Sequence, residues 1–179
     1  MCILSVDPGA THTGFAVMRA NEVPVLDWVE TVHSEECLRD NKFMVELGGN
    51  SLTKRLIVYK KFKELLIAHR PLVVVCESTY LDPRKVTAFS SLTKLLEGLT
   101  LTLLDVYPDM VVEFIPANIV KNSVGAKGGS DKTYVKAGLK NQSLDWNGFD
   151  IEMLDEHSID AIAVGVCKCK QFNEVLENV

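Results

Sequence analysis

Short, nearly unbroken apolar runs open the chain and set its first elements. Residues 2–7, 14–20 and 24–33 read as three successive strands. The short turn Asn21-Glu22 predicts antiparallel pairing between the second and third. Between the first two stand Pro8 and Gly9, which end regular pairing by fixing φ and by permitting positive φ. The pattern turns polar over 36–50, a stretch containing Gly48-Gly49-Asn50, and predicts a loop. From Ser51, read as a cap, helical spacing runs to about His69 with Leu52, Leu56, Tyr59, Phe62, Leu65 and Leu66 on one face. Pro71 stops it.

Leu72-Val-Val-Val-Cys76 is continuously apolar, as expected of a strand buried on both faces, and it ends in Glu77. A second helix is predicted over about 85–106, closed by Pro108, and another strand over 110–115. Pro116 begins a short helix over 117–124, the glycine-rich stretch 125–129 follows, and Ser130 can cap a further helix. A final helix runs from about Leu154 to Lys170 or beyond. The order βββαβαβα predicts an α/β fold: a five-stranded mixed sheet of three antiparallel meander strands and two parallel ones, flanked by helices.

Composition narrows the class. At 179 residues with 47% hydrophobic and 24% charged content, the chain is expected to form a single domain over 1–179. No apolar run approaches the ~20 residues of a membrane span, and no secretory leader pattern is evident, so a cytoplasmic location is the expectation. Five scattered cysteines read as reduced and buried, and the lone C-x-C at Cys167 and Cys169 lacks the second pair that zinc needs. The net charge of −5 argues against a nucleic-acid partner only until its distribution is considered. Six basic residues fall between Lys54 and Arg70 against the single acid Glu64. Five lysines (Lys121, Lys127, Lys132, Lys136 and Lys140) stand against Asp131 in the second basic stretch. Such segregation suits a phosphate-facing surface, and a solvated helix face explains each run equally well.

The candidate chemistry lies at element ends. The first strand delivers Asp7 beside a small-residue turn, Pro8-Gly9-Ala10-Thr11, where a metal or phosphate can approach the backbone. If the strand ending in Glu77 runs parallel to the first as its neighbour, both carboxylates meet at the end where open α/β sheets bind ligands. On the last helix His157 and Asp160 are three apart and share a face, with Cβ atoms about 5–6 Å from each other. The small residues from Ala161 onward suit close packing on the sheet, which would aim both at the same place. Three carboxylates and an imidazole there repel one another unless a cation intervenes. Oxygen-rich ligation suits Mg²⁺ or Mn²⁺, and two such ions about 4 Å apart are the apparatus of phosphodiester hydrolysis. Singly, each residue also reads as a turn cap, a surface acid, a helix-face histidine or a salt-bridge partner.

Four segments carry a resemblance: Ile3-Leu-Ser-Val-Asp7-Pro-Gly-Ala-Thr-His-Thr-Gly14, Val75-Cys-Glu77-Ser-Thr-Tyr80, the stretch from Lys121 to Lys132, and His157-Ser-Ile-Asp160-Ala-Ile-Ala. In order and spacing they resemble the RuvC-type Holliday junction resolvases, which are RNase H-like endonucleases. The resemblance implies a metal-dependent homodimer that nicks two strands of a four-way DNA junction symmetrically, with no role at a membrane. It implies metal ligation and catalysis by Asp7, Glu77, His157 and Asp160. It implies a junction-stacking role for Tyr80, an interaction worth ~1–3 kcal/mol per base. Lys121 and Lys132 fall on the family's basic positions near the scissile phosphate, where Lys132 would offset charge growing in the transition state. Lys127 and Lys136 share that stretch and are expected to meet DNA. The helix over 85–106 falls where the family dimerises.

One departure stands out: many members of the family have Asp where this chain has His157. An imidazole lowers the site's negative charge, favours Mn²⁺ over Mg²⁺, and is also fit to act as general base. Asp155 or Glu156 would be the substitute carboxylate. Competing readings are an RNase H-like nuclease for other branched DNA, flaps or RNA precursors; an actin/Hsp70-like ATPase; and a DNA-binding protein without catalysis. The ATPase normally needs a second lobe and phosphate loop that this chain lacks. The intact Asp7, Glu77 and Asp160 argue against the last.

Overall fold

The computed structural model describes residues 1–78, 86–126 and 132–177, with the side chains of 86–88, 132 and 177 left aside. Five strands form one sheet: β1 (Cys2–Asp7), β2 (His12–Arg19), β3 (Val25–His33), β4 (Val73–Ser78) and β5 (Val112–Pro116). The helices are α1 (Lys42–His69), α2 (Val86–Val106), α3 (Ala117–Ser123), α4 (Lys132–Lys140) and α5 (Glu156–Glu177). The sheet order is β3-β2-β1-β4-β5. The meander strands pair antiparallel, β4 pairs parallel to β1, and β5 pairs parallel to β4. The mixed sheet expected from the chain is therefore the one observed.

Strand alternation divides the core into two layers. Along β1, Leu4 and Val6 face α1 and α2, packing with Phe62, Leu66, Leu95 and Leu103. Ile3 faces the other way, onto the layer with Ala161, Ile162 and Val166 of α5. Ser5 joins it there: its hydroxyl donates to the Ala161 carbonyl at 2.8 Å. By the same period Asp7 falls on the α5 side. On β4, Val75 belongs to the α5 layer and Cys76 to the other, so Glu77 also falls on the α5 side.

Close helix–sheet approach needs small residues. A Cβ on Gly14 of β2 would lie 2.0 Å from the His157 carbonyl oxygen and 3.2 Å from Ala161 Cβ. One on Gly165 would lie 2.4 Å from Met18 Sδ. These two contacts seat α5 flat on β1 and β2 with its first turn at the Asp7 end.

Several expectations are corrected. The stretch 36–50 is not a loop: a 3₁₀ turn spans Glu36–Asn41 and α1 begins at Lys42. Its sequence to Leu47 contains good helix formers, and the two glycines produce only a kink, at Gly49 with φ 73°. Ser51 is thus no cap; its hydroxyl accepts from Arg55 Nη1 at 2.9 Å. The buried face of α1 is Thr53, Val58, Phe62, Leu65 and Leu66, while Leu52 and Leu56 are exposed. The last helix begins at Glu156 instead of Leu154, since Asp155 caps it and Ile151–Met153 forms a 3₁₀ turn. Ser130 and Lys85 lie outside the described residues. All five cysteines are free thiols, three of them buried. Among the described residues no helix is long and apolar enough to cross a membrane.

Candidate active site

Asp7 ends β1 directly beside β4: Val6 pairs with Cys76, which places Asp7 next to Glu77 in the parallel ladder. From the facing helix, His157 Nδ1 lies 3.0 Å from Asp7 Oδ2. An ionised carboxylate only accepts, so the proton of this bond belongs to Nδ1. In the neutral ring Nε2 then carries the lone pair, and it lies 3.5 Å from Glu156 Oε1. Both members of the pair are largely enclosed, with Asp7 15% and His157 22% exposed at their side chains.

Glu77 reports the charge of the whole cluster. Its pKa is pushed up to about 7, first by burial, then by the negative charges of Asp7 and Asp160, with Lys121 of α3 pulling the other way. The carboxyl groups at 7, 77 and 160 therefore share one electrostatic neighbourhood although they come from β1, β4 and α5. Among the described residues, Lys121 is the cation that acts on Glu77. Lys136 of α4 and Asp160 line a cavity of about 230 Å³ between α4 and α5, together with Thr133, Leu154, Glu156 and Ile159. There Lys136 Nζ pairs with Glu152 at 3.0 Å.

Among the described residues, no group of three or more His, Cys, Asp and Glu side chains is arranged as a finished metal cage. The chemistry of the donors nonetheless fits a divalent cation. Carboxylates facing each other without a cation relieve repulsion by protonation or by pairing with a donor. Glu77 does the first and Asp7 the second.

Asp155, one of the two carboxylates considered in place of an acid at 157, is engaged as a helix cap. Its Oδ1 accepts from the Ser158 N–H at 2.8 Å and from the Thr31 hydroxyl at 2.7 Å, the work of a helix cap tied to β3. Burial pushes its pKa up, but these bonds and His33 outweigh that and hold it below the ordinary value.

Tyr80 and Lys127 lie outside the described residues, as does the side chain of Lys132, whose backbone opens α4. His12 received no role from sequence, yet its ring stacks on His157 with centroids 5.2 Å apart at 18°. It also meets His33 edge-on at 5.0 Å. Strand parity was the available signal: His12, Gly14, Ala16 and Met18 alternate onto the α5 face of β2, so His12 points where His157 lies.

A strand–turn–strand acid, a neighbouring parallel strand with a second acid, and a C-terminal helix with a third define an RNase H-like nuclease fold. The family model described as crossover junction endodeoxyribonuclease RuvC matches residues 3–168. The chain belongs to this family and is by membership a crossover junction endodeoxyribonuclease; the family in general depends on divalent metals. Among solved structures it is similar to T. thermophilus RuvC in complex with Holliday junction substrate, at 17% identity, covering 93% of this chain and 92% of that one, with a TM-score of 0.69. The yeast mitochondrial Holliday junction resolvase Ydc2 is similar at 13% identity over 95% of this chain and 83% of that one, TM-score 0.55. At such identities the likeness is one of fold. No curated protein matches the chain significantly.

Proposed function

We propose that the chain, acting as one nuclease domain in each subunit of a homodimer, resolves four-way DNA junctions by paired nicks. Asp7, Glu77, His157 and Asp160 hold two divalent cations, Mg²⁺ or Mn²⁺. The observation that carries this reading is the convergence of three acids: Glu77 sits beside Asp7 in the parallel ladder, and its pKa is pushed up to about 7 by burial and then by the charges of Asp7 and Asp160. When bound, the cations supply Lewis acidity at the scissile phosphate.

The protein's own groups do the rest. Asp7 fixes the His157 ring through Nδ1–H, which leaves Nε2, on the Glu156 side, as metal donor or as acceptor of the attacking water's proton. If Nε2 takes that proton, the Asp7 carboxylate stabilises the imidazolium. Lys121 and Lys132 offset charge on the phosphoryl oxygens, Lys127 and Lys136 track the backbone, and Tyr80 stacks at the junction.

The test is nicking of a four-way junction, a three-way branch, a flap and a linear duplex, each with Mg²⁺ and with Mn²⁺. Cutting confined to the four-way junction is expected. Equal or better cutting of flaps or linear duplex overturns the substrate assignment. Asp7→Asn should abolish cutting while junction binding persists, and retained cutting contradicts its role. His157→Asp should stay active and shift preference from Mn²⁺ towards Mg²⁺. An unchanged metal profile removes His157 from the ligand set.

A further inference from the structure

The turn that follows Asp7 borders a second cavity, on the opposite side of the sheet end from the carboxylates. It encloses about 230 Å³ between the backbone of Gly9–Thr11, the α1 residues Ser51, Lys54 and Arg55, and Ser91 of α2. Liquid water takes ~30 Å³ per molecule, so a phosphate group and a few waters fit. We infer that this cavity is a second phosphate site, in which Lys54 and Arg55 hold the DNA backbone beside the strand being cut. The inference rests on the junction-nuclease reading and adds a contact to it.

The two cations are set differently from their neighbours in the same basic stretch. Lys61 and Lys63 pair with Glu30 and Asp105, each at 2.6 Å, and neither lines this cavity. Lys54 is 17% exposed at its side chain and pairs at 3.1 Å with Glu35, which is itself 63% exposed. An exposed carboxylate is a partner that a phosphate can displace, since such pairs are worth only ~0–1 kcal/mol. Arg55 is steadied by its bond to Ser51 Oγ. Ser91 and Asn50 add polar groups to the lining, whose floor is the apolar pair Val58 and Leu95. Gly9 follows Asp7 by two residues, so the chain itself keeps the cavity wall within about 7 Å of the catalytic strand end. A backbone running across that end meets the carboxylates with one phosphate and Lys54 and Arg55 with another. The inference also assigns work to the first basic stretch, of which the carboxylate site uses no member.

Binding of a four-way junction by Asp7→Asn protein, measured across a salt series, tests this without cutting. Adding Lys54→Gln and Arg55→Gln together should lower affinity and reduce the slope of log K against log salt by ~1.8 per subunit, two contacts at ~0.9 each. The charge-keeping pair Lys54→Arg and Arg55→Lys should restore the slope. Glu35→Gln, which removes the competing carboxylate, should tighten binding. An unchanged slope in the double variant, or no gain from Glu35→Gln, overturns the site. Because binding alone is read, a slope that falls as expected leaves this site standing even where the protein with Asp7 intact never nicks the junction, the result that contradicts the nuclease reading.

Discussion

A carboxyl group that keeps its proton to about pH 7 changes how the protein's stability responds to pH, and Glu77 is such a group. Its folded-state value lies above the ordinary 4.5, so the folded state binds the proton more tightly than the unfolded one. Stability of the cation-free protein should therefore fall as pH rises from about 4.5 through 7 and level off above. Glu77→Gln should remove that fall, raising the melting temperature of cation-free protein at pH 8 by an amount worth up to ~3 kcal/mol and leaving it unchanged at pH 4.5. Mg²⁺ should stabilise the native chain at pH 8 far more than the variant. Equal melting of the two at both pH values would mean that the three carboxylates do not feel one another. His12 belongs to this scale too: stacked on His157, it restrains the ring whose Nδ1 meets Asp7.

At the scale of elements, the seat of α5 on the sheet decides whether the acids meet. Gly14 sits where any Cβ would strike the His157 carbonyl, a backbone atom with no flexible end to yield. Gly14→Ala should cost ~1–3 kcal/mol and lower nicking more than junction binding, because it lifts His157 and Asp160 away from β1. Thermal melting and a nicking assay check both, and a variant with native melting and native rate would dissociate the helix seat from the site. Most of this arrangement was legible in the chain. An expected parallel pairing of the first strand with the one ending in Glu77, and the small residues from Ala161 onward, pointed Asp7, Glu77 and Asp160 to one sheet end, and Glu77 feels the charges of both other acids. What escaped is equally physical. The polar stretch 36–50 with its two adjacent glycines suggested a loop, whereas the chain is helical on both sides of a kink at Gly49, and Val58 and Phe62 pack the helix beyond it into the core. The capping role of Asp155 depends on Thr31, distant in sequence, and no local pattern announces it.

For the whole molecule, the apolar patch formed by Leu96 and Leu101 of α2 with Phe114 of β5 is the surface the proposed homodimer would cover. Leu101→Glu should give monomers in analytical ultracentrifugation. On a plasmid cruciform these monomers should yield nicked circles where the native protein yields linear DNA, since paired cuts within one complex need two sites. Native association of the variant would place the dimer contact elsewhere. The central claim, that β1, β4 and α5 converge to hold divalent cations, has a direct test in crystals grown with Mn²⁺. Anomalous scattering should reveal two peaks between the carboxylates of Asp7, Glu77 and Asp160, with His157 on one of them. Well-ordered side chains at these positions with no anomalous peak at saturating Mn²⁺ would contradict the account.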